Sequence, residues 1–268
     1  LESMKLAGPN GKIKIVDGKL DKLVVTKKSG FNFLCNPDPN IIMKNNGVWN
    51  RKDVSVFVIE GIIESVAEIN HILSQASVEK CSIAIFCLGY SEEVISTILL
   101  NNDRGAFDIM ICCPNTDVEA SNDLADICLV TGAPMHGYQT GNLSTSVNLE
   151  EEFQVKTDEI EFSLDTVKIK NPKRQMQARA KCQDLNKKIK GISDENSYEE
   201  YIMQRISNLS LNQVEIKLPV VTSQEKVNMT SILDSAIRTS RSIISYGVLD
   251  TEKVIRKFPS ISFLPSGK

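Results

Sequence analysis

The segment SEEVISTILLNNDRG, residues 91–105, predicts a helix whose apolar side chains spread over a wider arc than one buried face requires. Ser91 is a candidate N-cap, and two acidic residues in the first turn suit the start of a helix. At about 100° per residue, Val94 and Ile98 share one stripe and can pack into a core. The apolar residues that remain outside this stripe are Ile95, Leu99 and Leu100. They indicate either a helix that is buried on two sides or an exposed apolar surface that binds a partner.

The composition is that of a globular protein with reduced cysteines. The chain has 268 residues, 41% of them hydrophobic and 24% charged, which is enough for a sizeable core in one large or two modest domains. A formal net charge of −3 gives no reason to expect nucleic acid or an anionic membrane as a partner. Seven cysteines without a CxxC motif predict free thiols in a reducing compartment, and no apolar run has the length of a membrane helix.

Alternating strand-like and helix-like segments between residues 54 and 130 predict an α/β fold with a parallel sheet. Four runs of mostly apolar residues are typical of strands that are buried on both faces. They are Val54–Ile59, Cys81–Cys87, Phe107–Cys113 and Ile127–Val130. Helices are predicted between them, at about 62–76, 91–105 and 118–125, and should lie on the faces of the sheet.

The flanking segments differ from this core in their pattern. Residues 11–25 and 153–170 mix apolar and polar residues in near alternation, as half-exposed antiparallel strands do. Further elements are predicted as helices at 174–189, 197–209 and 223–245 and as a strand at 214–220. We expect residues 11–25 and 214–220 to form a smaller outlying layer.

Motifs of common catalytic and nucleotide-binding sites are absent from the sequence. No strand is followed by GxGxxG, and there is neither a GxxxxGK[ST] loop nor a GxSxG elbow. His71 and His136 have no Cys or carboxylate nearby at metal-ligand spacing, so we expect no metal site. Cys112 and Cys113 end a strand, where α/β enzymes place functional groups, but packing explains two cysteines in an apolar run more simply.

Six segments, taken in order, carry a resemblance to a known family. They are GPNGKIKIVDG, VFVIEGIIESVAEINHILSQA, SEEVISTILLNNDRG, DLADICLVTGA, YEEYIMQRISNL and SILDSAIRTSRSIISYGVL. Their order and spacing resemble a diverged group I chaperonin of the GroEL type. The resemblance implies a parallel-sheet apical domain at 26–212, flanked by intermediate-domain segments of a small α+β domain at 1–25 and 213–247. Residues 248–268 would be the start of an equatorial return or a disordered tail.

The resemblance also implies a groove between two apical helices that captures non-native polypeptides and the mobile loop of a GroES-like co-chaperonin. Carried over by position, the polypeptide-binding residues are Phe31, Phe33, Asn70, Leu73, Ile95, Leu99 and Leu100. Phe31 and Phe33 are expected in a loop after Gly30. Asn70 stands where the family usually has leucine, which puts a polar group into the groove. An unfolded chain offers apolar side chains in no fixed order, so its receptor needs adaptable apolar area.

Nucleotide chemistry is expected only in a longer parent protein. The family's Gly-Asp-Gly-Thr-Thr phosphate-binding motif is absent from this chain, so we expect no cofactor and no enzyme activity in it. The resemblance implies that ATP and Mg²⁺ bind in the parent. The catalytic aspartate of the family aligns with Ser235, and a shift of one residue would place Asp234 there. The resemblance further implies a ring homo-oligomer in the parent, a monomer for this chain alone, and no nucleic-acid or membrane partner. The location would be a bacterial-type cytoplasm, that of a virus-infected bacterium, or an organellar matrix.

Two other functions stay open at this point. The parallel sheet would suit an α/β enzyme or ligand-binding domain with a site at the C-terminal ends of its strands. A scaffold that keeps the fold and has lost folding activity is the third alternative. A pocket with converging polar groups at the strand ends would favour the enzyme, whereas an open apolar groove between two helices would favour the chaperonin.

Overall fold

The computed structural model describes residues 2–7, 12–17, 22–114, 119–137, 153–189, 196–210, 212–219 and 222–247. The chain divides into two compact units. One unit consists of Leu1–Pro9, Ile13–Lys27 and Val214–Lys268, and the other consists of Asn10–Lys12 and Lys28–Gln213. Their assignment to intermediate and apical domains stays a prediction, and the tail predicted at 248–268 lies outside the described residues.

The smaller unit joins a three-stranded sheet to a long helix. Its elements are α1 (Glu2–Ala7), β1 (Lys12–Asp17), β2 (Val24–Ser29), β10 (Asn212–Leu218) and α8 (Ser223–Tyr246). β10 lies between β1 and β2, so these strands share one small sheet, as predicted. α8 begins with a capping box, in which the Thr222 hydroxyl accepts from Glu225 N at 3.4 Å and the Glu225 carboxylate accepts from Thr222 N at 3.2 Å.

Within the described residues, the larger unit contains a mixed sheet of seven strands. They are β3 (Phe31–Pro37), β4 (Trp49–Ile63), β5 (Ser82–Tyr90), β6 (Asp108–Pro114), β7 (Met135–Gly137), β8 (Lys156–Phe162) and β9 (Thr166–Lys170). β5 pairs in parallel with both β4 and β6, and β7 pairs in parallel with β4. β3, β8 and β9 join the sheet through antiparallel pairs. β4 pairs with both β5 and β8. Because β5 is also linked to β8 through β6, β3 and β9, these six strands form a closed ring, and β7 pairs with β4 outside it.

The helices of the larger unit pack against this sheet and against one another. They are α2 (Pro39–Lys44), α3 (Val66–Glu79), α4 (Glu92–Asp103), α5 (Ala120–Thr131), α6 (Gln175–Ile189) and α7 (Asn196–Asn208), with a 3₁₀ turn at Pro172–Arg174 before α6. None of the helices that the structure describes combines the length and the apolar character needed to span a bilayer.

The core lies between the sheet and its helices because the central strands are apolar on both faces. In β5, every residue from Ile83 to Cys87 is fully buried. Trp49, at the start of β4, packs edge-on against Phe162 of β8, with ring centroids 5.6 Å apart. Its indole Nε1 donates to Asp108 Oδ1 at 2.9 Å, so the polar atom of this buried ring has a partner. These contacts tie β4, β6 and β8 together.

The prediction of a strand at Ile127–Val130 is wrong, because these residues belong to α5. A short apolar run such as ICLV cannot distinguish a buried strand from a buried helix. In the structure, Leu124, Ile127 and Val130 recur at helical spacing and are each 1% exposed or less. The helix predicted at about 118–125 therefore continues to the left-handed Gly132, whose φ is 89°, and residue 118 lies outside the described residues. β7 supplies the fourth parallel strand instead.

The helix predicted at 62–76 begins too early. Ile62 and Ile63 extend β4 and pair with the end of β5. Both are β-branched, which favours an extended backbone over a helix. The helix start is instead marked by Ser65 and Glu68, which form a capping box in which the Glu68 carboxylate accepts from Ser65 N at 2.9 Å.

Candidate functional site

Helix α4 is held at both ends by side-chain hydrogen bonds. The Ser91 hydroxyl accepts from Val94 N at 3.4 Å, which confirms the predicted N-cap. Near the other end, Asn102 bonds the backbone of Ile109 in β6 twice. Its Nδ2 donates to Ile109 O at 2.8 Å, and its Oδ1 accepts from Ile109 N at 3.0 Å. These bonds fix which side of α4 faces the sheet.

The apolar arc of α4 is only partly covered. Val94 and Ile98 form the buried stripe, as predicted, and both are fully enclosed. Ile95 and Leu99 are half-buried at the border of the core, and Leu100 is 51% exposed. Ile95, Leu99 and Leu100 together form what we term the outer arc. α4 therefore presents apolar area to solvent beside its buried face.

One side of the outer arc adjoins α2. Leu99 lines a small cavity of about 170 Å³ that also contacts α2 and the start of β6. Ion pairs border this cavity: Lys44 Nζ lies 2.6 Å from Asp103 Oδ2, and Arg51 Nε lies 2.5 Å from Asp108 Oδ2. Leu99 thus has charged neighbours, whereas Leu100 lies about 100° further round the helix. Leu100 is consequently the member of the outer arc with the most open surroundings.

Helix α3 packs beside α4 but offers less apolar surface than predicted. The placement of Leu73 on a groove surface is corrected, since this side chain is only 6% exposed. Leu73 lies on the inner face of α3 with Ile69, Ile72 and Ala76, which all pack into the core. Asn70 is exposed, so its polar amide remains in contact with solvent.

The prediction that Phe31 and Phe33 lie in a loop is wrong. Both belong to β3, and their exposed fractions are 0% and 2%. Alternate residues of a strand point to the same face, and here that face is the core, which also contains Cys35. Gly30 precedes the strand with a φ of 129°, a conformation that L side chains rarely adopt. Buried phenylalanines cannot present surface to a ligand, so neither residue belongs to the candidate surface.

The sequence reasoning missed Ile62 as an exposed apolar residue. It is 62% exposed at the C-terminal end of β4, the strand that leads into α3. Its paired residue on β5 is Gly89, and a Cβ built there would lie 3.4 Å from Ile62 Cγ1. This is an ordinary van der Waals distance, so Ile62 and Gly89 are simply neighbours at the edge where α3 and α4 both begin. The sequence signals that could have indicated this position were an isoleucine directly after Gly61 and a glycine near the end of the next strand.

Polar groups at the C-terminal ends of the parallel strands have structural partners. Tyr90 OH donates to Asp38 Oδ2 at 3.1 Å. Asp38 Oδ1 accepts from Asn40 N at 2.9 Å and Ile41 N at 3.2 Å, so the same carboxylate caps α2. Burial, together with the Asp38 carboxylate, raises the pKa of Tyr90. These contacts account for both groups through packing and capping, and they do not support an open acid–base site.

Metal ligation and nucleotide chemistry are the other candidate activities. In the part of the chain that the structure describes, no group of three or more His, Cys, Asp or Glu residues is placed to hold a metal ion. Asp234 and Ser235 are exposed on α8, where they line a depression with Thr230 and Arg238. They belong to the smaller unit, whereas the outer arc belongs to the larger one. Which of the two aligns with a catalytic position stays a prediction.

Comparison with known sequences finds chaperonins. Over 254 residues, or 92% of the chain, the sequence is 24% identical to the chaperonin GroEL of Methanoregula boonei. Over 180 residues, or 66% of the chain, it is 24% identical to the chloroplastic chaperonin GroEL of Trieres chinensis. The chain spans 46% and 34% of the lengths of these two proteins. No protein-family model matches the sequence.

Comparison with solved structures finds the same kind of protein. The fold is similar to that of the chaperonin gp146 from the bacteriophage EL 2 (Pseudomonas aeruginosa), in two crystal forms obtained in the presence of ATP-BeFx. The TM-scores are 0.61 and 0.63, at sequence identities of 16% and 17%. The matches cover 89% and 86% of this chain and 47% and 46% of the other.

The chain is thus similar to GroEL-type chaperonins in sequence and similar to a phage chaperonin in fold. The structure brings Ile95, Leu99 and Leu100 together at one surface of α4, with Asn70 exposed on the adjacent helix α3. It separates them from Phe31, Phe33 and Leu73, which are buried.

Proposed function

We propose that this chain is the polypeptide-binding part of a chaperonin and that it captures non-native proteins on the outer arc of α4. The observation that carries the proposal is the partial exposure of three neighbouring aliphatic side chains, with Leu100 the most exposed at 51%. Contiguous apolar area at a protein surface is typical of interaction sites. The related proteins are named chaperonins, which makes non-native polypeptide the ligand of first choice.

The size of the outer arc suits weak and reversible capture. Each aliphatic side chain that is fully removed from water contributes roughly 1.5–3 kcal/mol. Ile95 and Leu99 contribute less than this, because each is already partly covered. Binding must also offset the entropy lost when an unfolded chain becomes ordered. One chain should therefore bind weakly, and a ring of identical chains would bind more tightly through multivalency.

For the complete protein, we propose a ring homo-oligomer that uses ATP and Mg²⁺ to cycle between capture and release. A GroES-like co-chaperonin would be a second ligand of the same apolar surface. Phosphoryl transfer depends on positioning the attacking water and neutralising the phosphate charge. Asp234 or Ser235 on α8 would supply the residue that orients this water. We propose that the present chain alone is a monomer that neither binds nor hydrolyses ATP.

Capture is tested by titrating the purified chain against a fluorescently labelled, permanently unfolded polypeptide. Leu100→Ser should weaken binding, because it removes the most exposed apolar side chain of the outer arc. The matched control is Leu164→Ser, since Leu164 is also an exposed leucine, at 69%, but lies between β8 and β9. The proposal predicts weaker binding for Leu100→Ser alone. Equal loss in both variants, or no loss in either, would contradict it.

The ATP proposal needs the full-length protein and is tested separately. Turnover and ATP affinity are compared between Asp234→Ala and Ser235→Ala. Loss of turnover at unchanged affinity in one variant identifies the residue that orients water. Full turnover in both variants would show that neither residue of α8 takes part in the reaction. ATP hydrolysis by the present chain alone, purified free of host chaperonin, would overturn the assignment of nucleotide binding to the rest of the protein.

A further inference from the structure

Four cysteine thiols form two contacting pairs near the ends of β3, β5 and β6. Cys112 of β6 is paired in register with Phe86 of β5, so the next residues along these parallel strands, Cys113 and Cys87, lie side by side. Their side chains are close enough that each shifts the pKa of the other. The second pair is Cys112 with Cys35 of β3. Because neighbouring residues of a strand point to opposite faces, the two pairs lie on opposite sides of β6.

The two thiol pairs differ in their access to solvent. Cys35 and Cys112 are 1% and 0% exposed, so nothing outside the protein reaches their sulfur atoms. Cys87 is also fully buried, but its partner Cys113 is half-buried, close to the end of β6. A reagent in solution can therefore reach one pair through Cys113 and has no route to the other.

The backbone geometry permits a bond between Cys87 and Cys113. Adjacent strands in a sheet lie about 4.7–4.9 Å apart, and disulfides form at Cα separations of about 4.4–6.8 Å. The contact with the Cys87 side chain lowers the pKa of Cys113, and the same contact together with burial raises the pKa of Cys87. Cys113 is thus the thiol that ionises first, and the thiolate is the nucleophile in thiol oxidation.

We propose that Cys87 and Cys113 are an oxidisable dithiol that forms a disulfide when a hydroperoxide reaches Cys113. The Cys113 thiolate attacks the peroxide O–O bond and forms a sulfenic acid, while the leaving oxygen takes up a proton and departs as water or an alcohol. The Cys87 sulfur then attacks the sulfenic sulfur, and the S–OH oxygen leaves as water with the Cys87 proton. Two thiols are oxidised to one disulfide, and one peroxide is reduced.

The test uses the whole 268-residue chain with hydrogen peroxide as the oxidant. Reduced protein is treated with peroxide, remaining thiols are blocked with N-ethylmaleimide, and tryptic peptides are sequenced by mass spectrometry. We expect a cross-link between the peptides 81–104 and 105–156 with a mass loss of two hydrogens, and fragmentation should assign it to Cys87 and Cys113. This assignment in the unmodified sequence does not depend on whether a cysteine variant folds.

Single variants distinguish the two thiol pairs. The cross-link should be lost in Cys87→Ala and Cys113→Ala and retained in the matched controls Cys35→Ala and Cys112→Ala. Recovery of Cys113 as a blocked thiol or as a sulfinic acid, without a disulfide, would overturn the proposal. A disulfide that joins Cys35 to Cys112, or one that survives in Cys113→Ala, would overturn it as well.

Discussion

Helices α4 and α5 have the same length, 12 residues, and each follows a parallel strand, yet the fold covers them differently. α5 contacts four strands of the sheet and also α6, and it buries six residues. α4 contacts β6, α3 and, through the Lys44–Asp103 ion pair, α2, and it buries only Val94 and Ile98. Both helices carry apolar residues beyond one stripe. In α5 those residues, such as Cys128 and Leu129, are at least half-buried, whereas in α4 Leu100 is 51% exposed.

Helix α5 is joined to α7 by a buried ion pair. Arg205 of α7 donates to Asp126 of α5 through Nε at 2.7 Å and through a terminal nitrogen at 2.8 Å. The Arg205 and Asp126 side chains are 7% and 2% exposed. α4 instead carries the exposed Leu100 on its outer arc. The same kind of apolar helix therefore becomes core or candidate binding surface according to what is packed against its outer side.

The largest expected effect on stability comes from removing the ion pair that joins α7 to α5. Arg205→Ala should lower the free energy of unfolding by about 3–5 kcal/mol, because Asp126 would be left buried without its partner. Urea unfolding followed by circular dichroism measures the change. The control is Lys187→Ala, which removes an exposed pair with Asp184 at 3.6 Å and should cost less than about 1 kcal/mol. Equal stability losses in the two variants would mean that the ion pair does not secure α7 against α5.

A substitution that creates a cavity between α5 and the core should have the next largest effect. Leu124 is fully buried on α5, so Leu124→Ala should lower the free energy of unfolding by about 2–5 kcal/mol. The same urea titration serves as the measurement. A change below about 0.5 kcal/mol, the range of ordinary surface substitutions, would show that α5 is not packed as the structure has it.

Leu100→Ala should have the smallest effect on stability. Because half of this side chain is already exposed, the free energy of unfolding should change by no more than about 0.5 kcal/mol. Urea titration of this variant beside Leu124→Ala gives the contrast directly. A loss as large as that of Leu124→Ala would place Leu100 in the core and remove the distinction between the two helices.

The sequence could predict α4 better than α5. In α4, polar residues at the cap and in the first turn marked the helix, and its buried stripe of Val94 and Ile98 followed from the helical period. In α5, the run at Ile127–Val130 is apolar without interruption, and such a local pattern favoured a strand. In the structure these residues are helical, because tertiary packing overrides the local pattern. Periodicity is informative where polar residues interrupt the apolar ones and is lost where a short run is apolar throughout.

Three residues predicted for the candidate surface are buried instead, for a related reason. Leu73, Phe31 and Phe33 were assigned by position in a family, but each proves to be buried by contacts with distant parts of the chain. Local sequence does not contain those contacts. Ile62 was missed because it was predicted in a helix, whereas it lies near the end of a strand that pairs with β5. Long-range pairing thus decided which apolar residues stayed at the surface.

The most direct test of the account is amide hydrogen exchange of the chain with and without a permanently unfolded polypeptide. Bound polypeptide should slow exchange in peptides from α4, residues 92–103, and leave peptides from α5, residues 120–131, unchanged. The Leu100→Ser variant should show less slowing in α4 at the same polypeptide concentration. Slower exchange in α5 but not in α4, or bound polypeptide with no change in α4, would contradict the claim that the outer arc is the binding surface.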